Sequence, residues 1–154
     1  MKTLSTGSPA PDFTLPDETG TQRKLRDFLA KGPVVLFFYP GAMTSGCTAE
    51  SCRFRDLAAE FETVGAQRIG ISADTVDKQR EFSDAHSFDY PLLSDPDREV
   101  ATAYGVKRRF ITPVKRATFV INADGTIAEV ITGEFDMEIH ADQALKTLQG
   151  ASAT

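Results

Sequence analysis

The chain has 154 residues, of which 41% are hydrophobic and 25% are charged, and its formal net charge is −5. These proportions are ordinary for a soluble globular protein, and the length predicts a single domain over residues 1–154. An acidic chain without a basic stripe lacks the electrostatic pattern of a nucleic-acid-binding protein. No apolar run approaches the ~18 residues of a membrane span, and the first residues lack the hydrophobic region of a signal peptide. We therefore expect a cytoplasmic protein that binds neither nucleic acid nor membrane.

The first half of the chain alternates short apolar runs with one stretch of helical periodicity. Residues 12–15 and 21–25 predict two short strands on either side of a turn. The continuous apolar run at 34–39 lies between Gly-Pro and Pro-Gly, so it is too short for a helix and predicts a strand buried on both faces. Apolar residues then recur with helical spacing over 54–64, and a second buried strand is predicted at 68–72.

The second half continues this alternation and ends in a hairpin and a helix. The patterns predict a helix around 76–88, a short extended piece at 90–93 and one or two helical turns within 97–104. An Asp-Gly turn joins two further predicted strands, 117–121 and 126–132, and a closing amphipathic helix is predicted over 137–148. This order predicts an α/β fold with a mixed central sheet flanked by helices, and it is similar to the order of the thioredoxin-like fold.

The cysteines and histidines limit the chemistry that the chain can perform. There are two of each, and in a reducing compartment two cysteines argue for redox or metal chemistry rather than for a permanent structural disulfide. His86 and His140 make a thin ligand set for zinc, and neither stands at zinc-finger spacing, so we expect no metal site. We predict that both histidines are surface residues.

The segment between the first buried strand and the next helix carries a cysteine at a position suited to chemistry. Cys47 lies in the first turn of that predicted helix, where unpaired N–H groups and the positive end of the helix dipole stabilise a thiolate over a thiol. Thr44 stands three residues earlier and Cys52 five residues later. A free cysteine is more often a small buried hydrophobe, but these three features together favour a reactive thiolate.

Other classes of protein share parts of this pattern. Residues 41–48 have the spacing of a phosphate-binding loop, but Cys47 stands where that loop has the lysine that contacts the phosphates. A disulfide oxidoreductase of the thioredoxin type predicts C-x-x-C, whereas this chain has C-x-x-x-x-C. A copper-binding protein of the same fold predicts C-x-x-x-C and a distal histidine, for which His140 is available. A non-enzymatic binding domain of this fold is a further alternative.

One longer motif resembles a known family. Pro40, Thr44 and Cys47 form P-x-x-x-T-x-x-C, the signature of peroxiredoxins. The extension C-T-x-E-x-C adds Glu50 and Cys52 and resembles the Q-type, or bacterioferritin-comigratory, subfamily. Similar stretches run along essentially the whole chain, from the opening G-S-P-A-P-D-F to R-A-T-F-V-I at 116–121.

The resemblance implies a thiol-dependent peroxidase that reduces hydrogen peroxide or alkyl hydroperoxides. In that family Cys47 would be the peroxidatic cysteine, and Cys52 would resolve its sulfenic acid as an intramolecular disulfide. Thioredoxin or a similar dithiol protein would then reduce the disulfide, without a metal or an organic cofactor. We also expect a monomer or a weak homodimer.

The resemblance also assigns the remaining site residues. It implies that Arg116 is the active-site arginine, that Glu50 orients it, and that Pro40 shields the sulfur beside Thr44. Spacing alone does not distinguish this arginine from the neighbouring cations Arg108, Arg109 and Lys115. For the segment 107–113 neither the pattern nor the resemblance predicts particular contacts.

Overall fold

The structure is a computed structural model, and it describes residues 3–108, 112–133 and 139–152. The described strands are β1 (Thr14–Pro16), β2 (Gln22–Lys24), β3 (Val34–Phe38), β4 (Gln67–Ser72), β5 (Leu92–Ser94), β6 (Ala117–Ile121) and β7 (Ile127–Thr132). The described helices are α1 (Leu25–Leu29), α2 (Ser45–Asp56), α3 (Ala58–Thr63), α4 (Val76–His86), α5 (Glu99–Ala103) and α6 (Ile139–Ser152).

The apolar run after Gly32-Pro33 forms the central strand of the main sheet. Every residue of β3 is buried, as a strand with covered faces on both sides requires. Within the described residues this sheet has the strand order β5-β4-β3-β6-β7. β3, β4 and β5 run parallel, whereas β6 is antiparallel to β3 and β7 to β6. The predicted mixed sheet is therefore confirmed, and β1 and β2 form a separate antiparallel pair.

Side chains of β3 alternate between two apolar cores, one on each face of the sheet. Leu36 and Phe38 belong to the first core, together with residues of α1, α5 and β6. Phe37 belongs to the second core, which holds residues of α2, α3, α4 and α6. There the ring of Phe37 stacks on that of Phe54 in α2, with a centroid separation of 4.1 Å and an interplanar angle of 8°. This stack fixes α2 against the sheet.

The sheet register brings two chain segments together at one edge. Phe38, the last residue of β3, pairs with Ala117, the first residue of β6. The residue before β6, Arg116, therefore lies beside the loop that leaves β3. β3 and β4 are parallel, so their carboxyl ends also meet at this edge, which is where ligands and chemistry concentrate in open α/β sheets.

The helical pattern predicted over 54–64 belongs to two helices rather than one. α2 begins at Ser45 and ends before Leu57, whose backbone angles (φ −94°, ψ 19°) depart from the helix. The chain turns there, and Phe54 and Phe61 still stack in the core with centroids 5.8 Å apart. Residues 137–138 of the last predicted helix lie outside the described residues. None of the helices that the structure describes is long and apolar enough to cross a membrane.

Candidate active site

Cys47 is the third residue of α2 and has no exposed surface. The chain leaves the buried strand β3 at Phe38, crosses a short loop and enters the helix after Thr44. The first backbone N–H groups of a helix have no partner within it, and they carry the positive end of the helix dipole. A sulfur in this turn is therefore in a position that favours its anionic form.

A buried guanidinium contacts this sulfur. Arg116 is 4% exposed, and its Nη2 donates to the Cys47 sulfur at 3.3 Å. Its Nη1 donates to Glu50 Oε1 at 2.8 Å. Burial acts against the charge of Arg116, but Glu50 and Cys47 more than offset it, so the pKa of the guanidinium lies above its ordinary value. Arg116 is therefore a cation at neutral pH.

Glu50 lies one helical turn after Cys47 and is fully buried. A buried carboxylate is costly unless it is paired and hydrogen-bonded, and Arg116 supplies the opposite charge. One end of the guanidinium thus binds the carboxylate and the other contacts the sulfur. Because the guanidinium is planar and bound to Glu50, its orientation relative to the Cys47 sulfur is fixed.

Two further predicted site residues lie on the loop before α2. Thr44 is exposed, and its hydroxyl donates to the carbonyl of Gly41 at 2.8 Å. Thr44 is also the N-cap residue of α2, although its side chain makes no capping bond to the helix. Pro40 is half-buried directly after Tyr39. Both residues therefore lie on the segment that leads into Cys47.

Cys52 lies on the same helix as Cys47 and is half-buried. Both cysteines are free thiols. Burial raises the pKa of the Cys52 thiol; Arg55 acts to lower it and Asp56 to raise it further. Cys52 is therefore predominantly a neutral thiol at neutral pH in this conformation.

The sequence profile of the AhpC/TSA family matches residues 6–130, a stretch that contains both cysteines, Glu50 and Arg116. The chain belongs to the AhpC/TSA family. A chloroplastic peroxiredoxin Q of Gentiana triflora is 39% identical over 149 residues, which are 96% of this chain and 68% of that protein.

Solved structures agree with this membership. The peroxidoxin BcpB of Mycobacterium tuberculosis is 55% identical, with a TM-score of 0.93 over 96% of this chain and 97% of that one. The bacterioferritin comigratory protein of Xanthomonas campestris is 30% identical, with a TM-score of 0.84 over 91% of this chain and 92% of that one. The thioredoxin-like fold and the resemblance to Q-type peroxiredoxins are confirmed, and this chain is a peroxidase of the AhpC/TSA family.

Within this AhpC/TSA protein, sequence reasoning missed a carboxylate that holds the loop before α2. Asp74 follows β4, and its Oδ2 accepts from the Ala42 N–H at 2.7 Å and from the Ser72 hydroxyl at 2.7 Å. Met43, which directly follows Ala42, has a φ of 68°, a left-handed conformation that is unfavourable for a residue with a side chain. The sequence did offer a signal for Asp74, because this residue follows the predicted strand 68–72 and the carboxyl ends of parallel strands meet at one edge of the sheet.

The prediction that both histidines are surface residues is wrong for His140. His86 is half-buried beside Phe88, but His140 has no exposed surface. It lies on the buried face of α6, in helical register with Ala144 and Leu148, and this spacing was the available signal. Among the described residues, no cluster of three or more His, Cys, Asp or Glu side chains could hold a metal ion.

Two other cations near Arg116, Lys107 and Lys115, have described contacts that do not involve the Cys47 sulfur. Lys107 is exposed, and its backbone bridges to Val114. Lys115 donates from its Nζ to the Thr3 hydroxyl at 2.9 Å. Arg109 lies outside the described residues, as do residues 110 and 111. Of the described members of this cationic cluster, Arg116 is the one whose contact with the Cys47 sulfur is observed.

Proposed function

We propose that the protein is a two-cysteine peroxidase in which Cys47 reduces hydrogen peroxide and organic hydroperoxides and Cys52 resolves the product. The observation that carries this proposal is the 3.3 Å contact between Arg116 Nη2 and the Cys47 sulfur in the first turn of α2. A sulfur held between a helix N-terminus and a guanidinium is suited to react as a thiolate, which is the nucleophilic form of cysteine.

In the first step the Cys47 thiolate attacks the terminal oxygen of the peroxide. A sulfur–oxygen bond forms and the oxygen–oxygen bond breaks, so that the sulfur is oxidised to a sulfenic acid and the peroxide is reduced. The leaving hydroxide or alkoxide takes up a proton and departs as water or an alcohol. Neither a metal nor an organic cofactor takes part.

Thiolate formation accounts for only part of the rate. Compared with an ordinary cysteine, full ionisation at neutral pH raises the thiolate fraction by roughly tens-fold. Part of this gain is lost, because the intrinsic nucleophilicity of sulfur falls as its proton affinity falls. The remainder comes from stabilising the charge that develops along the breaking oxygen–oxygen bond. Arg116 and the Cys47 N–H are the donors for that charge.

The loop residues complete the environment of the peroxide. The Thr44 hydroxyl donates to the Gly41 carbonyl, so its oxygen offers lone pairs to the peroxide O–H. Pro40 would limit access of water to the sulfur.

In the second step Cys52 attacks the sulfenic sulfur of Cys47. A disulfide forms and hydroxide leaves, which takes up a proton to become water. An external dithiol protein of the thioredoxin type then reduces this disulfide through a mixed-disulfide intermediate. The Xanthomonas campestris relative is described by its alkyl peroxide reduction activity, which supports organic hydroperoxides as substrates here.

The test is to mix the reduced protein with one equivalent of hydrogen peroxide and count free thiols over time. The proposal predicts that both thiols disappear as peroxide is consumed, and that mass spectrometry finds a Cys47–Cys52 link. The variant Cys47→Ser should consume no peroxide while keeping its fold, and Cys52→Ala should complete one turnover and stop at the sulfenic acid. A Cys47→Ser protein that still turns over peroxide, or an oxidised wild type without the link, would contradict the proposal.

A further inference from the structure

His140 is a buried titratable group that the proposed mechanism does not use. Its ring lies in the second core with no exposed surface, between α6, α2 and β6. Nε2 lies 3.0 Å from the Gly133 carbonyl oxygen, and Nδ1 lies 2.8 Å from the Thr118 hydroxyl. Both ring nitrogens are therefore engaged, and the orientation of the ring is fixed.

These partners restrict where the ring carries its protons. A carbonyl oxygen only accepts, so Nε2 carries a hydrogen that it donates to Gly133. The Thr118 hydroxyl can either donate to Nδ1 or accept from it. Nδ1 can therefore be unprotonated or protonated without losing its hydrogen bond, and the ring can be neutral or cationic in the same geometry.

The ring also contacts the carboxylate of the active site. His140 Nδ1 lies 3.5 Å from Glu50 Oε2, and Arg116 binds the other oxygen, Oε1, at 2.8 Å. Arg116 in turn contacts the Cys47 sulfur at 3.3 Å. A continuous chain of polar contacts thus joins the imidazole to the reactive sulfur.

Other charged groups on α6 and the elements around it have described partners of their own. Asp142 of α6 pairs with Arg53 of α2 at 2.9 Å, Arg55 of α2 pairs with Asp56 at 3.0 Å, and Glu129 of β7 accepts from the Thr147 hydroxyl at 3.4 Å.

We propose that His140 is a positioning residue for the peroxide reaction, which fixes the Glu50 carboxylate and gains a proton when Cys47 loses one. This inference rests on the proposed function, because it requires that Cys47 reacts as a thiolate. A thiol with a neutral imidazole and a thiolate with an imidazolium carry the same total charge. Conversion of one pair into the other therefore leaves the net charge of the buried cluster unchanged.

The coupling has a definite sign. A negative charge at Cys47 shares the positive charge of Arg116 with Glu50, so less of that charge neutralises the carboxylate. The carboxylate then attracts a proton on His140 more strongly. Removal of the thiolate therefore weakens proton binding at His140. Thermodynamic linkage requires the reverse as well, so that a cationic His140 favours the thiolate.

The first test needs no change at His140. The chain has two histidines, so a histidine-labelled sample gives two imidazole signals that can be titrated by NMR. In reduced wild type, the titration midpoint of His140 should exceed that in reduced Cys47→Ser by roughly one pH unit. His86, which packs against Phe82 and Phe88, is the internal control and should not move. Equal His140 midpoints in the two proteins would overturn the proposal.

The second test compares His140→Asn with the control His86→Asn in the peroxide step. The His140 variant should react about tenfold more slowly near pH 6, because it lacks the imidazolium charge that lies 3.5 Å from the Glu50 carboxylate. The deficit should shrink as pH rises, because the wild-type imidazole then becomes neutral too. A deficit of the same size at every pH would mean a merely structural role and overturn the proposal. Wild type that does not react with peroxide would instead overturn the proposed function.

Discussion

Arg116 is the residue that joins Glu50 to Cys47 in the site. Its guanidinium binds Glu50 at 2.8 Å and the Cys47 sulfur at 3.3 Å, and it is almost fully buried. A lysine would retain the charge but not the planar fork that serves two partners at once. The contribution of Arg116 is therefore one of direction as well as charge.

Changing Arg116 to Met should slow the peroxide step by about 10²-fold or more, the loss typical of one transition-state donor. Stopped-flow measurement of peroxide consumption checks this. Because the change leaves Glu50 buried without its cation, the double variant Arg116→Met/Glu50→Gln separates loss of activity from loss of stability. Arg53→Met, which removes an arginine on the surface of α2, is the matched control. Unchanged rates in the Arg116 variants would transfer the role to another cation, with Arg109 the first to examine.

Cys52 predicts a pH dependence for the second step of the cycle. Burial raises the pKa of this thiol, so near neutral pH the reactive thiolate is a minor form. Disulfide formation should therefore accelerate by about tenfold per pH unit until that pKa is reached. Quenched-flow analysis of the link at several pH values measures this rate. Asp56→Asn removes a charge that raises the pKa of Cys52, so it should speed the step near neutral pH, and an unchanged rate would contradict the assignment.

Helix α2 carries both cysteines, and this placement conflicts with a bond between them. Five residues of a regular helix advance the chain by about 7.5 Å and turn it by roughly 140°, which separates the two Cα atoms by about 8.6 Å. A disulfide requires a separation below about 7 Å and converging side chains. The start of α2 must therefore open before Cys47 and Cys52 can join.

Hydrogen exchange should detect this opening. Amides from Cys47 to Phe54 should lose protection on oxidation, whereas those of β3 and of the control helix α4 should keep it. Opening must break the bond from the Tyr90 hydroxyl to the Ser51 carbonyl at 2.7 Å, whereas the bond from Arg68 to the Phe54 carbonyl at 2.8 Å can hold the end of the helix. Equal protection of α2 in both redox states would show that no bond forms between the two cysteines.

At the scale of the whole molecule, both apolar cores stabilise the fold, but only the second core packs against the helix that carries the cysteines. Phe37 and Phe38 are consecutive, fully buried residues of β3 that point to opposite faces of the sheet. Phe37 stacks on Phe54 of α2, while Phe38 packs edge-on to Phe119 of β6 with centroids 5.8 Å apart. Only the first of these two contacts acts on the helix that must open.

This pair provides a matched experiment. Phe37→Ala and Phe38→Ala should each lower the free energy of unfolding by about 3–5 kcal/mol, measured by urea denaturation of the reduced protein. Phe37→Ala should also speed disulfide formation, because it weakens the packing of α2. Phe38→Ala should leave that rate close to wild type. Equal effects of the two changes on disulfide formation would show that opening does not depend on the second core.

The sequence predicts best where a single local pattern decides the structure. The run 34–39, closed by glycine and proline, has one stable form, and the Asp-Gly turn fixes the final hairpin. The break at Leu57 is set by how Phe54 and Phe61 pack, which periodicity along the chain does not record.

The site follows the same division. The position of Cys47 at a helix start is a local property and was predictable, whereas Arg116 was selected from its neighbours by resemblance alone. Asp74 and His140 reach the site through the pairing of β3 with β4 and the packing of α6. Such contacts depend on tertiary structure, so spacing in the sequence could only hint at them.

The packing of α2 also affects the equilibrium between the dithiol and disulfide forms in the proposed cycle. The dithiol form keeps the whole helix against the sheet, and the disulfide form gives up its first turns, so the packing energy favours the dithiol. A stabilised dithiol gives a disulfide with a higher reduction potential, by about 30 mV for each ~1.4 kcal/mol. The stack of Phe37 on Phe54, which involves neither sulfur, would therefore help to set the reduction potential at which a partner dithiol can reduce the Cys47–Cys52 disulfide.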